Sequence, residues 1–242
     1  MTAIVLLHGW GMRAAVFDGL ATILSPRHTL HPLPLPGYDG APATSAYALD
    51  EVAADIAARA PGKCAVAGWS LGAQVALAWA RARPQQIGRL VLVSATPCFV
   101  QRDDWPAAMP PAVFDAFADL VRTDAAAALR RFIALQAQGD AAAGQVARTL
   151  GAALEGPSPR AHALENGLRI LRETDLRGTL DAIETRTLLI HGERDRLVPT
   201  RAAEYVADAL PHASLERVPY AAHAPFVSDP RDVGRRMLEF LG

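Results

Sequence analysis

The chain has 242 residues, 51% of them hydrophobic, enough to bury a full core as one large domain or as one domain with an insertion. Its 24 basic and 25 acidic residues leave a formal charge of -1, so no overall field favours nucleic acid or an anionic membrane surface. Cys64 and Cys98 are its two cysteines, which argues against a disulfide framework or a metal site and makes both packing residues.

Met1 leads almost directly into Ile4-Val5-Leu6-Leu7. That run is too short for a secretory or membrane-spanning segment and has no basic flank, so a cytoplasmic protein is expected. The run reads as a strand, followed at once by His8-Gly9-Trp10-Gly11. A glycine-bracketed turn after a strand points backbone N–H groups into a cleft, as an oxyanion hole requires, and the Trp10 amide is the natural donor. The Trp10 ring, on a loop between two glycines, is better placed to wall a cleft than to fill a core.

Ala14 to Leu24 has helical periodicity through Val16, Leu20, Ile23 and Leu24. Thr29 to Leu35 carries apolar residues broken by prolines, an edge-like or irregular strand, and Pro36 to Gly40 is a turn. Leu49 to Ala60 is an alanine-rich helix capped by Ser45 or Asp50. Cys64 to Ala67 reads as a buried strand and Ala73 to Ala82 as a helix, with Gly68-Trp69-Ser70-Leu71-Gly72 between them. In that setting a G-x-S-x-G element forces its serine onto a strained turn with the hydroxyl at the sheet edge, which makes Ser70 the candidate nucleophile. An ordinary turn with a capping serine would need neither a base, an acid nor an oxyanion hole elsewhere in the chain. Leu90 to Val93 adds a strand, and the alternation to this point predicts a parallel sheet.

From Pro97 to about Thr185 the strand pattern stops. Four helices are expected, at Ala112 to Arg122, Ala125 to Gln138, Ala141 to Glu155 and Arg160 to Glu173, punctuated by Pro110-Pro111, Gly139-Asp140 and Gly156-Pro157-Ser158-Pro159. The expected organisation is a core of residues 1–96 and 186–242 with a helical cap, residues 97–185, over the carboxyl ends of the sheet. The earlier rhythm returns with strand Thr187 to Ile190, the loop to Pro199, helix Thr200 to Leu210, strand Ser214 to Val218 and helix Pro230 to Leu241.

In the α/β-hydrolase arrangement the partners of the serine follow in the order acid, then histidine, each on a loop after a late strand. Asp195 lies just beyond Thr187 to Ile190, and His223 just beyond Ser214 to Val218. His223 would take the Ser70 proton and return it to the leaving alcohol, Asp195 would hold the imidazole tautomer, and the oxyanion would rest on the amides of Trp10 and Leu71. Glu193 is shallower in its loop than Asp195. His8 and His191 suit structural hydrogen bonding, and His28, His31, His162 and His212 have no supporting context.

Leu6 to Gly11, Gly68 to Gly72, Ser94 to Pro106, Arg130 to Gln136 and Ala221 to Phe226 together resemble the pimeloyl-acyl-carrier-protein methyl ester esterases, carboxylesterases of biotin synthesis. The elbow and triad are general to the fold, whereas the stretches beginning at Ser94 and Arg130 are particular to this family. The resemblance implies an α/β-hydrolase fold, a mainly parallel sheet flanked by helices, and hydrolysis of a methyl ester at the far end of a seven-carbon acyl chain tethered to acyl carrier protein. It implies no metal or organic cofactor, and a monomer is expected. It assigns acyl-chain contacts to Phe132, Ile133, Ala134, Leu135 and Gln136, beside Trp10, Ser70, Leu71 and His223. Leu129, Phe132, Ile133 and Gln136 share one face at helical spacing, with Arg130 opposite. Because the carrier is acidic, Arg130, Arg131 and Arg148 are its candidate contacts. Residue 73 is Ala where the family more often has glycine, and without the N-terminal hairpin of relatives about six main strands are expected rather than eight. A broad short-chain carboxylesterase would share every catalytic residue, and a ligand-binding protein could stand on the same scaffold.

Overall fold

Six apolar runs pair into one parallel sheet: β1 (Ala3–Leu7), β2 (Thr29–Pro32), β3 (Cys64–Trp69), β4 (Ile87–Val93), β5 (Thr187–Gly192) and β6 (Ala213–Val218), in the order β2-β1-β3-β4-β5-β6. These come from a computed structural model that describes all of residues 1–242 except 45, 46 and 157. β3 and β5 are buried along their whole length, as strands covered on both faces are. The proline-containing β2 stands at one edge, where a missing N–H does least harm.

Side-chain alternation along the inner strands divides the core in two. Val5, Leu7, Val66, Leu90, Leu92 and Leu189 face helices α2 (Leu49–Arg59), α3 (Leu71–Ala82) and α8 (Thr200–Ala209). Ile4, Leu6, Ala65, Ala67, Val91, Val93, Leu188 and Ile190 face α1 (Asp18–Leu24) and α10 (Pro230–Leu241). Among the described residues no helix is long and apolar enough to cross a membrane.

Local details differ from the sequence expectations. Ala14 to Leu24 is a 3-10 turn, Ala14–Phe17, followed by α1, and the Asp39 carboxylate accepts the Ala14 amide at 3.1 Å to fix where the turn begins. The N-cap of α2 is Ala48, with no side-chain cap, and Asp50 lies inside the first turn, where its carboxylate accepts from Arg81. Ser45 lies outside the described residues, as does Pro157. A short helix α9 (Pro225–Ser228) precedes α10, whose cap is the Asp229 carboxylate accepting the Asp232 amide at 3.0 Å.

Between β4 and β5 run α4 (Pro111–Thr123), α5 (Ala125–Ala137), α6 (Ala143–Ala152) and α7 (Ala161–Glu173). They do not form one layer. Apolar residues of α4, α5 and α7, among them Phe114, Phe132 and Leu168, join the core of the α3 face, whereas Val146 and Leu150 of α6 join the core of the α10 face.

Candidate active site

Every candidate chemical group lies at the carboxyl edge of the sheet, and β1 sits between β2 and β3, where the chain's winding reverses. Ser70 follows β3 directly with φ 56° and ψ -117°, a strained conformation for a residue with a Cβ. The turn is tight because its glycines permit close backbone approach. A Cβ on Gly68 would collide with the Gly72 carbonyl and the Ala73 Cα, and one on Gly72 would collide with the carbonyl oxygens of Leu7 and His8. Ala73 is fully buried, so its extra methyl is accommodated.

Asp195 and His223, on the loops after β5 and β6, meet in the interior. His223 Nδ1 donates to Asp195 Oδ2 at 2.7 Å, while Asp195 Oδ1 accepts the amides of Leu197 and Val198, each at 2.9 Å. Burial alone would raise the Asp195 carboxyl, but the charge and hydrogen bond of His223, helped by His191 and the Val198 amide, bring it below the usual carboxylate range. His223 Nε2 is buried and has no hydrogen-bond partner among the described residues, which leaves its lone pair available to a hydroxyl proton. Glu193, by contrast, is exposed.

The loop after β1 lies against the elbow, since a Cβ placed on Gly9 would be 3.3 Å from Ser70 Cβ. Gly11 N–H donates to the Tyr38 hydroxyl at 3.2 Å and Met12 N–H to the Gly9 carbonyl at 3.3 Å, but no described hydrogen bond engages the Trp10 amide. Leu71 opens α3, so its amide has no intrahelical acceptor either. His8 supports this loop: its Nδ1 donates to the Gly9 carbonyl at 2.9 Å, its Nε2 accepts the Leu35 amide at 3.1 Å, and burial pushes its pKa down to about 4. His191 is also held low, mainly by burial, and its Nε2 donates to the Val198 carbonyl at 3.0 Å. His28 is buried, His31 half-buried on β2 and His162 exposed, while His212 lies 3.2 Å from Glu184 at the surface.

The Trp10 ring is fully buried between core and helical insert. Its Nε1 donates to the Leu164 carbonyl at 2.8 Å, and its ring centroid is 5.0 Å from Phe132 and 5.5 Å from Phe117. Beside it opens an apolar cavity of about 220 Å³ walled by Phe99, Met109, Phe114, Phe117, Phe132, Leu135, Leu168, Leu171 and Leu197, with Arg131 and Arg196 also in its lining. The predicted acyl-contact stretch is divided by this geometry. Phe132 and Leu135 line the cavity, Gln136 is buried outside its lining with Nε2 3.9 Å from Met12 Sδ, Ile133 packs toward the opposite core, and Ala134 is exposed. The face expected to hold Leu129, Phe132, Ile133 and Gln136 together is therefore split, because α5 is wedged between two cores. Of the predicted arginines, all exposed, Arg131 lines both the cavity and a shallow groove shared by α5 and α6, whereas Arg148, whose guanidinium lies near Gly144, and Arg130 line neither.

Two residues emerge only in three dimensions. Trp69, fully buried, donates its indole N–H to the His223 carbonyl at 2.8 Å, and its ring centroid is 5.7 Å from the imidazole. Asp140 accepts the Ala222 amide at 2.8 Å. Trp69 fills the variable position of the elbow, where no local pattern points to His223, and Asp140 carries only a Gly-Asp turn signal. Among the described residues no group of three or more His, Cys, Asp or Glu could hold a metal ion, and Cys64 and Cys98 are both buried and unbridged.

Residues 4–236 match the alpha/beta hydrolase family model. The chain is 41% identical to a pimeloyl-[acyl-carrier protein] methyl ester esterase of Aromatoleum aromaticum, covering 95% of this chain and 94% of that protein. It is 40% identical to the protein of the same name from Nitrosomonas europaea, covering 94% and 90%. An esterase structure from Exiguobacterium antarcticum superposes with a TM-score of 0.88 at 22% identity, covering 99% of this chain and 91% of that one, a likeness of fold.

Proposed function

Because this chain belongs to the alpha/beta hydrolase family and, within it, to the pimeloyl-[acyl-carrier protein] methyl ester esterases, we propose that it hydrolyses the methyl ester of pimeloyl-acyl carrier protein in biotin synthesis. The products are the free carboxylate, still on its carrier, and methanol. The observation that carries the chemistry is the buried Asp195–His223 pair, with Nε2 unpartnered, at the same sheet edge as the strained Ser70.

In the acylation half, Ser70 Oγ attacks the ester carbonyl carbon while His223 Nε2 takes the hydroxyl proton. The carbonyl oxygen becomes an oxyanion held by the amides of Trp10 and Leu71, each such donor being worth about 3 kcal/mol of barrier. His223 then gives its proton to the methoxy oxygen as the C–O bond breaks, and methanol leaves an acyl-serine. In the second half His223 deprotonates a water, which attacks the same carbon, and the proton returns to Ser70 Oγ. Asp195, already below its ordinary pKa, stays ionised and stabilises the imidazolium in both halves.

The acyl chain occupies the apolar cavity between α4, α5, α7 and the Leu197 loop, where five methylenes contribute about 4 kcal/mol on burial. Residues 97–185 act as the cap that completes this cavity over the core of residues 1–96 and 186–242. The acidic carrier docks on the exposed arginines Arg130, Arg131 and Arg148, with Arg131 nearest the cavity. This reading describes a cytoplasmic monomer whose chemistry uses side chains, backbone amides and water.

The test is hydrolysis of the pimeloyl-carrier methyl ester against a short p-nitrophenyl ester at low and high salt, with Ser70→Ala as blank. A salt-sensitive preference for the carrier substrate, with kcat lowered about 10⁶-fold in Ser70→Ala, is expected. Equal use of the short ester without a salt effect would instead identify a broad-specificity carboxylesterase.

A further inference from the structure

The backbone around His223 is fastened on both sides of the residue, and two of the three fasteners come from the end of α5 and the loop after it rather than from the sheet. The Ala222 amide donates to Asp140 Oδ2 at 2.8 Å, the His223 amide donates to the Gln136 carbonyl at 3.2 Å, and the Trp69 indole donates to the His223 carbonyl at 2.8 Å. Asp140 has a second hold on the same segment, because its Oδ1 accepts from Ser228 Oγ at 2.9 Å while also accepting the Ala142 amide at 2.8 Å. The Ala141 amide donates to the carbonyl of Tyr220, a residue held at φ 68°, at 2.9 Å.

A carboxylate taken out of water is unfavourable unless its oxygens are well hydrogen-bonded. Asp140 is 7% exposed, and its described hydrogen-bond partners are all uncharged donors. Its donors are two amides and a hydroxyl, and the Ala222 amide and Ser228 hydroxyl bracket the histidine. Such an arrangement concentrates the carboxylate's hydrogen-bonding capacity on one segment. The imidazole must at once keep Asp195 at 2.7 Å and face the serine, so the peptide plane from which it projects has little latitude.

From this geometry we propose that Asp140 is a positioning residue: it holds the 221–222 peptide so that the His223 ring meets Asp195 and Ser70 together. The proposal rests on the serine-esterase reading above. It also ties the base to the acyl site, since α5 sends Phe132 and Leu135 into the cavity and supplies the Gln136 carbonyl that holds the His223 amide.

Stopped-flow labelling of Ser70 by a fluorophosphonate tests it, because the amplitude counts folded sites and the rate reports attack by the serine. Asp140→Ala should label to full amplitude about 100-fold more slowly, the scale of loss for a displacement near 1 Å, with kcat on the carrier ester falling in parallel and KM changed less than about twofold. Asp140→Asn keeps a carbonyl oxygen for the Ala222 amide and should recover most of the rate. A wild-type rate in Asp140→Ala overturns the proposal. So does a loss of amplitude with unchanged rate in both variants, which would make Asp140 a pin for folding alone. Failure of the unmodified protein to label, or unchanged labelling in Ser70→Ala, would refute the serine-esterase reading itself.

Discussion

The loops at the sheet edge and the helices laid over them are built by different means. Around Ser70, position is set by main-chain contact: the Gly68 and Gly72 backbones pass so close to their neighbours that a single Cβ would collide, and Asp195 is clamped by two amides. In the insert, position is set mainly by side-chain packing, with Phe117 and Phe132 stacked edge-on against Trp10 and Val146 and Leu150 buried in the α10-side core, and the described hydrogen bonds to the His223 segment are confined to the end of α5 and the loop after it. Main-chain contacts specify geometry to fractions of an ångström, whereas apolar faces specify mainly volume and tolerate hydrophobic exchange.

The largest loss of activity is expected from the hydrogen-bonded groups at the sheet edge. Asp195→Asn preserves size but cannot hold the same imidazole tautomer, and kcat should fall about 10⁴-fold with folding intact, as measured by ester turnover beside circular dichroism. If turnover survives, Asp195 is not the acid.

The next largest effect is on stability and belongs to the loop support. His8 titrates near pH 4 in the fold and near its ordinary 6.5 when unfolded, so between these values the unfolded chain binds more protons. Stability is complete above pH 6.5 and declines as the pH falls to 4, by about 3 kcal/mol from this residue. His191, also lowered by burial, adds in the same direction. Urea midpoints at pH 7 and pH 4.5 should show the decline, and His8→Gln, which retains an acceptor for the Leu35 amide, should reduce it.

Within the insert the two sides of α5 should separate. Leu135→Ala removes a cavity wall and should raise KM for the seven-carbon ester about tenfold with kcat little changed. Ile133→Ala should lower the melting temperature with little effect on KM, because Ile133 packs into the α10-side core. A shared KM effect would mean that both touch the acyl chain. The smallest change is expected at the surface: Arg131→Ala should lower kcat/KM for the carrier ester a few-fold at low salt and leave it unaltered at high salt, since exposed charges are screened within about 10 Å at 0.1 M. Arg130→Ala should do less, as Arg130 does not line the cavity.

Much of this molecule is legible in one dimension. The strands and major helices follow from apolar runs and their periods, the edge position of β2 from Pro32, and the elbow from glycines set between a strand and a helix. Those features depend on neighbours a few residues away, which sequence pattern records. Long-range packing decided the rest. No local signal divides α5 between two cores, sends α6 to the far side of the sheet, or shows that Asp140 reaches the amide of Ala222, 82 residues later in the chain. The same holds for the 2.7 Å meeting of Asp195 and His223: their order and their loops are written in the chain, but their contact exists only in the folded sheet, because hydrogen bonds between distant segments form only when the strands bring their carboxyl ends together.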